Sequence, residues 1–320
     1  MMPRADPTRS VHLPDRGLCW RSLLCADWSK HTAKRAVCSA DVGARRLSVV
    51  DRPAWSLRTL LDFARDEVAG PVLIAIDAVI GVPAGYLVQA PGWEPGMTFL
   101  EWLPKTRELP RFFDEAKRVE DLAPERPFFA VPAGKGSRRA FEVAARWPMR
   151  RPVEEAYGAK PVFITSGIPG TVGSASRELW RELRELLDEP DRRFRVWPFE
   201  GDPDLSSGQP GDVVLAEAYP RASYAGALAA SLPTSPRAVA KTRRAARKAA
   251  SRELLGADWV GRFEVRLPDH EEIVSDEDRF DAVLTAAATL RCLLEGRPLF
   301  DLSQVDPVAE GGILGGGVLI

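Results

Sequence analysis

Histidine is nearly missing from this 320-residue chain. The three present, His12, His31 and His270, are scattered, which leaves a histidine-based zinc centre or a Ser-His-Asp triad little material. Cysteine is scarce as well. Cys19, Cys25, Cys38 and Cys292 show neither CxxC spacing nor the density of a secreted scaffold, and read as reduced thiols of a cytoplasmic protein. No apolar run approaches the length of a membrane span, and residues 1–17 lack the apolar core of a signal peptide, so the expectation is a cytoplasmic chain without membrane association. An excess of one charge is also lacking: 44 Lys and Arg stand against 45 Asp and Glu. With no global basic field, any attraction to nucleic acid has to come from a local patch.

What is present is an ordinary globular composition, 45% hydrophobic and 28% charged, with ample length for a core. The segment from Leu23 to Pro83 organises the rest. Ser22–Ser29, Arg35–Asp41 and Arg45–Val50 are strand-like at short spacing, which predicts an antiparallel meander. Trp55–Gly70 carries Leu57, Leu60, Leu61, Ala64 and Val68 on one helical face and stops at Gly70-Pro71. Val72–Ile80 is apolar apart from Asp77, the pattern of a central strand covered on both faces. A strand, a crossover helix and a buried strand make a mixed sheet, parallel at its centre.

Residues 84–160 break this regularity with prolines and aromatics. They read as an insertion that packs on the sheet and walls one side of a cleft, with short helices around Thr98–Trp102 and Pro110–Val119. Its aromatics admit base stacking or, more simply, core packing. Then come a short strand at Pro161–Thr165 and a glycine-rich loop. The loop has Ser174 or Ser176 to cap a helix over Arg177–Asp188, and it lacks the Lys-Ser/Thr ending of a P-loop. Strands follow at Arg193–Pro198 and Asp212–Tyr219, then a basic helix over Pro236–Arg252 and a last helix over Ser275–Gly296, with Ser275 and Asp278 as a capping-box variant. Residues 1–20 read as a disordered arm, 21–320 as a single domain, and the tail EGGILGGGVLI as a packed segment.

Acids stand inside the apolar strands. Asp27 closes LLCAD, Asp77 interrupts VLIAIDAVI and Glu217 interrupts VVLAEAY. A buried carboxylate costs several kcal/mol, about 2–7 for a polar group and more for a charge, unless something compensates it. Two such carboxylates in neighbouring strands suggest a shared cation. The element order is that of the α/β ribonuclease-H-like fold: a mixed sheet of three antiparallel strands followed by parallel strands, with flanking helices and an insertion. In that fold acids on the first and fourth strands and on the last helix converge at one end of the sheet. Hard Mg²⁺ or Mn²⁺ needs oxygen ligands, so histidine is dispensable there. Two such ions clamp the attacking and leaving oxygens of a phosphodiester.

The segments ADWSK, IAIDAVIGVP, VWPFEG, AEAYP, RFDAVLTAA and EGGILG, in this order, resemble domain-of-unknown-function family 429, described as predicted ribonuclease-H-like nucleases. The resemblance runs from about Leu23 to the C-terminus; residues 84–160 do not match it, and the tail has EGG where a larger aromatic is expected after the first glycine. It implies that Asp27, Asp77, Glu217 and Asp281 are the acidic positions, serving as metal ligands and catalytic groups for hydrolysis of DNA or RNA. Each acid also has a plainer account. Asp27 ends a strand and can cap a turn, and Asp77 can shape the VIGVP turn. Glu217 can pair with Arg221 or a basic-helix residue. Asp281 gains from the helix dipole, with Asp276, Glu277 and Asp278 as neighbouring acids.

The basic stripe Arg237, Lys241, Arg244, Lys248 and Arg252 has the spacing to track phosphates, or is a solvated face. Two other classes therefore stay open beside the nuclease. One is a non-catalytic nucleic-acid-binding module using that helix. The other is a nucleotide phosphohydrolase or phosphotransferase using the loop at 167–176.

Overall fold

The computed structural model describes residues 20–315 except 134–135, 169–170, 202–204, 206–207 and 232. The arm at 1–19, Cys19 and the end of the tail lie outside the described residues. In chain order the elements are β1 (Ser22–Asp27), β2 (Ala36–Asp41), β3 (Arg46–Val50), α1 (Leu57–Asp66), β4 (Val72–Ile76), α2 (Ala84–Leu87), α3 (Phe99–Trp102), β5 (Phe129–Ala130), α4 (Ser137–Ala144) and α5 (Pro152–Tyr157). They continue with β6 (Ile164–Ser166), α6 (Gly173–Leu187), β7 (Arg195–Val196), β8 (Val213–Ala218), α7 (Pro220–Leu228), α8 (Arg244–Leu255), α9 (Asp258–Arg262), α10 (His270–Ile273), α11 (Glu277–Glu295) and β9 (Ile313–Leu314).

The main sheet runs β3-β2-β1-β4-β8-β7, with β9 also on β8. β1–β3 pair antiparallel, while β1, β4, β8, β7 and β9 are parallel. The chain is thus α/β with a mixed sheet and flanking helices. Strand alternation divides the core. Leu24, Ala26, Ile74, Ile76 and Leu215 face α1, α6 and the 84–160 segment, and Leu23, Cys25, Leu73, Ala75 and Val214 face α7 and α11. Phe99, Trp102, Phe112, Phe128 and Phe141 are buried in the first of these cores, so these aromatics are packing residues.

Four expected elements differ. No helix forms over Pro110–Val119: Phe112 and Phe113 are both buried, and consecutive inward side chains do not suit one helix face, so the chain turns instead. The basic helix starts at Arg244: residues 237–240 are irregular and 241–243 turn, and the Arg237 amide is drawn away to the Arg221 carbonyl at 2.8 Å. α6 begins a turn earlier than Arg177, and neither serine caps it. Ser174 donates to the Thr165 carbonyl at 2.8 Å, and Ser176 accepts from the Val79 amide at 2.9 Å. Gly173 opens that helix because a Cβ there would sit 2.4 Å from the Ile164 and Val162 carbonyl oxygens. The last helix is capped by Asp276 rather than Ser275, accepting from the Arg279 amide at 2.7 Å.

Candidate metal centre

Register decides which acids meet. Ala26 pairs with Ile76 between parallel β1 and β4, so the next residues, Asp27 and Asp77, come side by side, and the Asp77 amide donates to the Ala26 carbonyl at 2.9 Å. Asp27 follows Cys25 by two residues and so shares its face, the one crossed by α11. α11 sets Asp281, buried in its second turn, against this pair. One carboxylate oxygen from each of Asp27, Asp77 and Asp281 lies within 4.8 Å of the others.

The turn after β4 is fixed nearly residue by residue. Val79 donates to Ser176 and accepts from the Trp180 indole at 2.7 Å; Ile80 donates to Glu217 at 2.8 Å; Val82 donates to the Ala309 carbonyl at 2.9 Å. Gly81, at φ +130°, passes so close to the Glu310 carbonyl that a Cβ would stand 2.5 Å from its oxygen.

Glu217 lines the same cavity but stands outside the cluster of three. It pairs in register with Ile76, one residue short of Asp77, and therefore projects to the opposite face. There Arg151 grips it with two bonds, of 2.9 and 2.6 Å, and also bonds Glu154 at 3.1 Å and the Glu310 carbonyl at 2.6 Å. Glu217 thus pairs with Arg151, and neither Arg221 nor the basic stripe takes that place. The structure brings three of the four expected acids together and holds the fourth in an ion pair.

Burial is the main electrostatic fact of the trio. It raises Asp27 well above the usual carboxylate range, with the charges of Asp281 and Asp77 adding to the effect. It pushes Asp77 up to about 7 against the pull of Lys241. Asp281 is raised by burial too, opposed by Lys241 and Tyr224. The Tyr224 hydroxyl donates to Asp281 Oδ1, and Lys241 Nζ donates to Asp281 Oδ2. Asp27, 7% exposed, meets no N–H donor for its carboxylate among the described residues, only neighbouring acids, including half-buried Asp278.

A cavity of about 470 Å³ opens over the trio, with Lys160, Tyr219, Arg221 and Lys241 among its walls. Gly158, Ala159 and Lys160 supply the wall expected from the insertion.

The basic stripe is mostly neutralised. Arg237 pairs with Glu253, Arg244 and Lys248 pair with Glu271, and Lys241 belongs to the acidic site; only Arg252 has no partner among the described residues. Sequence reasoning missed Arg151 and Tyr224. Arg151 stands 66 residues from Glu217, with nothing local to link them. Tyr224 sits on α7, a helix buried on every side, so it has no amphipathic period; Pro220 at its first turn was the available signal. Comparison of this chain with protein-family models, with curated proteins and with solved structures gave no match.

Proposed function

We propose that this chain is a ribonuclease-H-like, divalent-metal-dependent phosphodiesterase, as its resemblance to domain-of-unknown-function family 429 implies. The observation that carries this is the convergence of Asp27, Asp77 and Asp281, from two parallel strand ends and a crossing helix, beneath an open cavity. The donor set fits a hard cation: all three groups are carboxylates, one oxygen from each lies within 4.8 Å of the others, and Asp27 meets no N–H donor for its carboxylate among the described residues. Bound there, Mg²⁺ or Mn²⁺ would supply Lewis-acid polarisation of a phosphoryl group and a lowered water pKa.

The chain's own residues prepare that site. Tyr224 and Lys241 orient Asp281, and the fixed turn from Val79 to Val82 holds Asp77. Lys160 and Arg221 on the cavity wall offer positive charge to a phosphate. Nucleic acid is the substrate class this reading names. The neutralised stripe and the walled cavity favour a second reading, a phosphohydrolase acting on a mononucleotide-sized substrate.

The test incubates labelled DNA, RNA and nucleoside triphosphates with the protein in Mg²⁺ or Mn²⁺. Cleavage of polynucleotide that falls at least 100-fold in Asp27→Asn supports the first reading, and turnover of nucleotides alone supports the second. Equal activity in wild type and Asp27→Asn, or none in either, would contradict both.

A further inference from the structure

The sequence marks Lys241 as one of five cations in a phosphate-tracking stripe. In the structure it has left that stripe and entered the acidic site, and its position is built. The segment before α8 is not helical; the Lys241 amide donates to the Val239 carbonyl at 2.8 Å, making a tight turn. Buried Arg247 then donates to the Lys241 carbonyl at 2.5 Å and to the Val274 carbonyl at 3.1 and 3.3 Å, pinning that turn to the segment ahead of α11. From this anchor the ammonium reaches Asp281 Oδ2.

Asp281 is thereby nearly spent. Tyr224 occupies one oxygen and Lys241 the other. A carboxylate has about four lone-pair sites, so each oxygen keeps one, but a cation drawn onto Oδ2 would stand against the Lys241 ammonium already bound there, while Oδ1 faces no such charge. Asp27 and Asp77, which take no N–H or ammonium donor on their carboxylates among the described residues, keep theirs open. Charge points the same way. One divalent cation and one ammonium neutralise the three carboxylates of the trio, and a second divalent cation beside Lys241 would exceed even the four negative charges that half-buried Asp278 completes.

We propose that Lys241 holds the place of a second metal: the site takes one divalent cation, between Asp27 and Asp77, with the Lys241 ammonium as its fixed cationic partner on Asp281. The two-ion arrangement expected from the fold is replaced here by one ion and one side chain. This rests on the metal-dependent reading above.

The test is Mn²⁺ titration, followed by calorimetry and by the electron-spin signal of free Mn²⁺, on wild type, Lys241→Met, Lys241→Gln and Lys241→Arg, each checked for folding by circular dichroism. Wild type is expected to bind one Mn²⁺ per chain at saturation. Lys241→Met and Lys241→Gln are expected to bind two, or one at least 10-fold more tightly, with spin–spin broadening where two ions sit together. Lys241→Arg should keep the wild-type stoichiometry. Two ions in wild type, or one ion at unchanged affinity in both neutral variants, would overturn the role of Lys241 while leaving the metal site intact. Absence of Mn²⁺ binding in every protein would instead remove the metal site and this proposal with it.

Discussion

Asp77 shows how one residue reports the state of the site. Burial lifts it from the ordinary aspartate value of 3.8 to about 7, so the folded chain holds its proton more tightly than the unfolded chain does. A group raised in this way contributes stability that is full below the unfolded value and is lost as the pH rises through the folded one. In chelator, the melting temperature is therefore expected to fall between pH 4 and pH 7, and Asp77→Asn to remove part of that fall. A wild-type profile that is flat or rising, or one that the substitution leaves unaltered, would contradict this assignment. Asp27, Asp77 and Glu217 were all legible in the sequence as anomalies, because a carboxylate inside an apolar strand demands a partner. Which partner was not legible. Periodicity places a side chain on a face only once the register between strands is known, and the offset of one residue between Glu217 and Asp77 sends them to opposite faces.

At the scale of elements, β1 to β4 and α1 could be read directly, since alternation, a one-faced helical stripe and Gly70-Pro71 all agree. The α1 start is sharpened by a capping box between Ser56 and Thr59. Segments governed by tertiary contacts were harder: α7 has no period, and 237–243 has helical composition but an irregular, turning backbone. Arg151 ties three such pieces together, joining α5 through Glu154, β8 through Glu217 and the tail through the Glu310 carbonyl. Arg151, Glu154 and Glu217 are almost wholly buried. Arg151→Ala leaves two buried carboxylates facing each other without a counter-ion, and is expected to destabilise the fold by about 3–5 kcal/mol. Urea unfolding measures this directly. A loss under about 1 kcal/mol would mean that water or another cation reaches these acids, and that the network is not the closed unit described above.

Over the whole molecule, one end of the parallel strands gathers the clustered carboxylates and the cavity, while positive charge elsewhere is largely matched by acids on neighbouring segments. The carboxyl ends of the strands are where open α/β sheets generally bind ligands, and the cavity of this chain opens there. No helix among the described residues is long and apolar enough to cross a membrane. On the metal-dependent reading, Asp27 and Asp77, and not Glu217, form the heart of the cation site. Calorimetric Mn²⁺ titration of Asp27→Asn, Asp77→Asn and Glu217→Gln beside wild type tests it most directly. Binding should be lost or weakened at least 10-fold in the two aspartate variants and should survive within about 3-fold in Glu217→Gln, where the affected group is the buried ion-pair partner of Arg151. Equal loss in all three would make Glu217 a ligand, and unchanged binding in both aspartate variants would mean that the convergence of these carboxylates holds no metal.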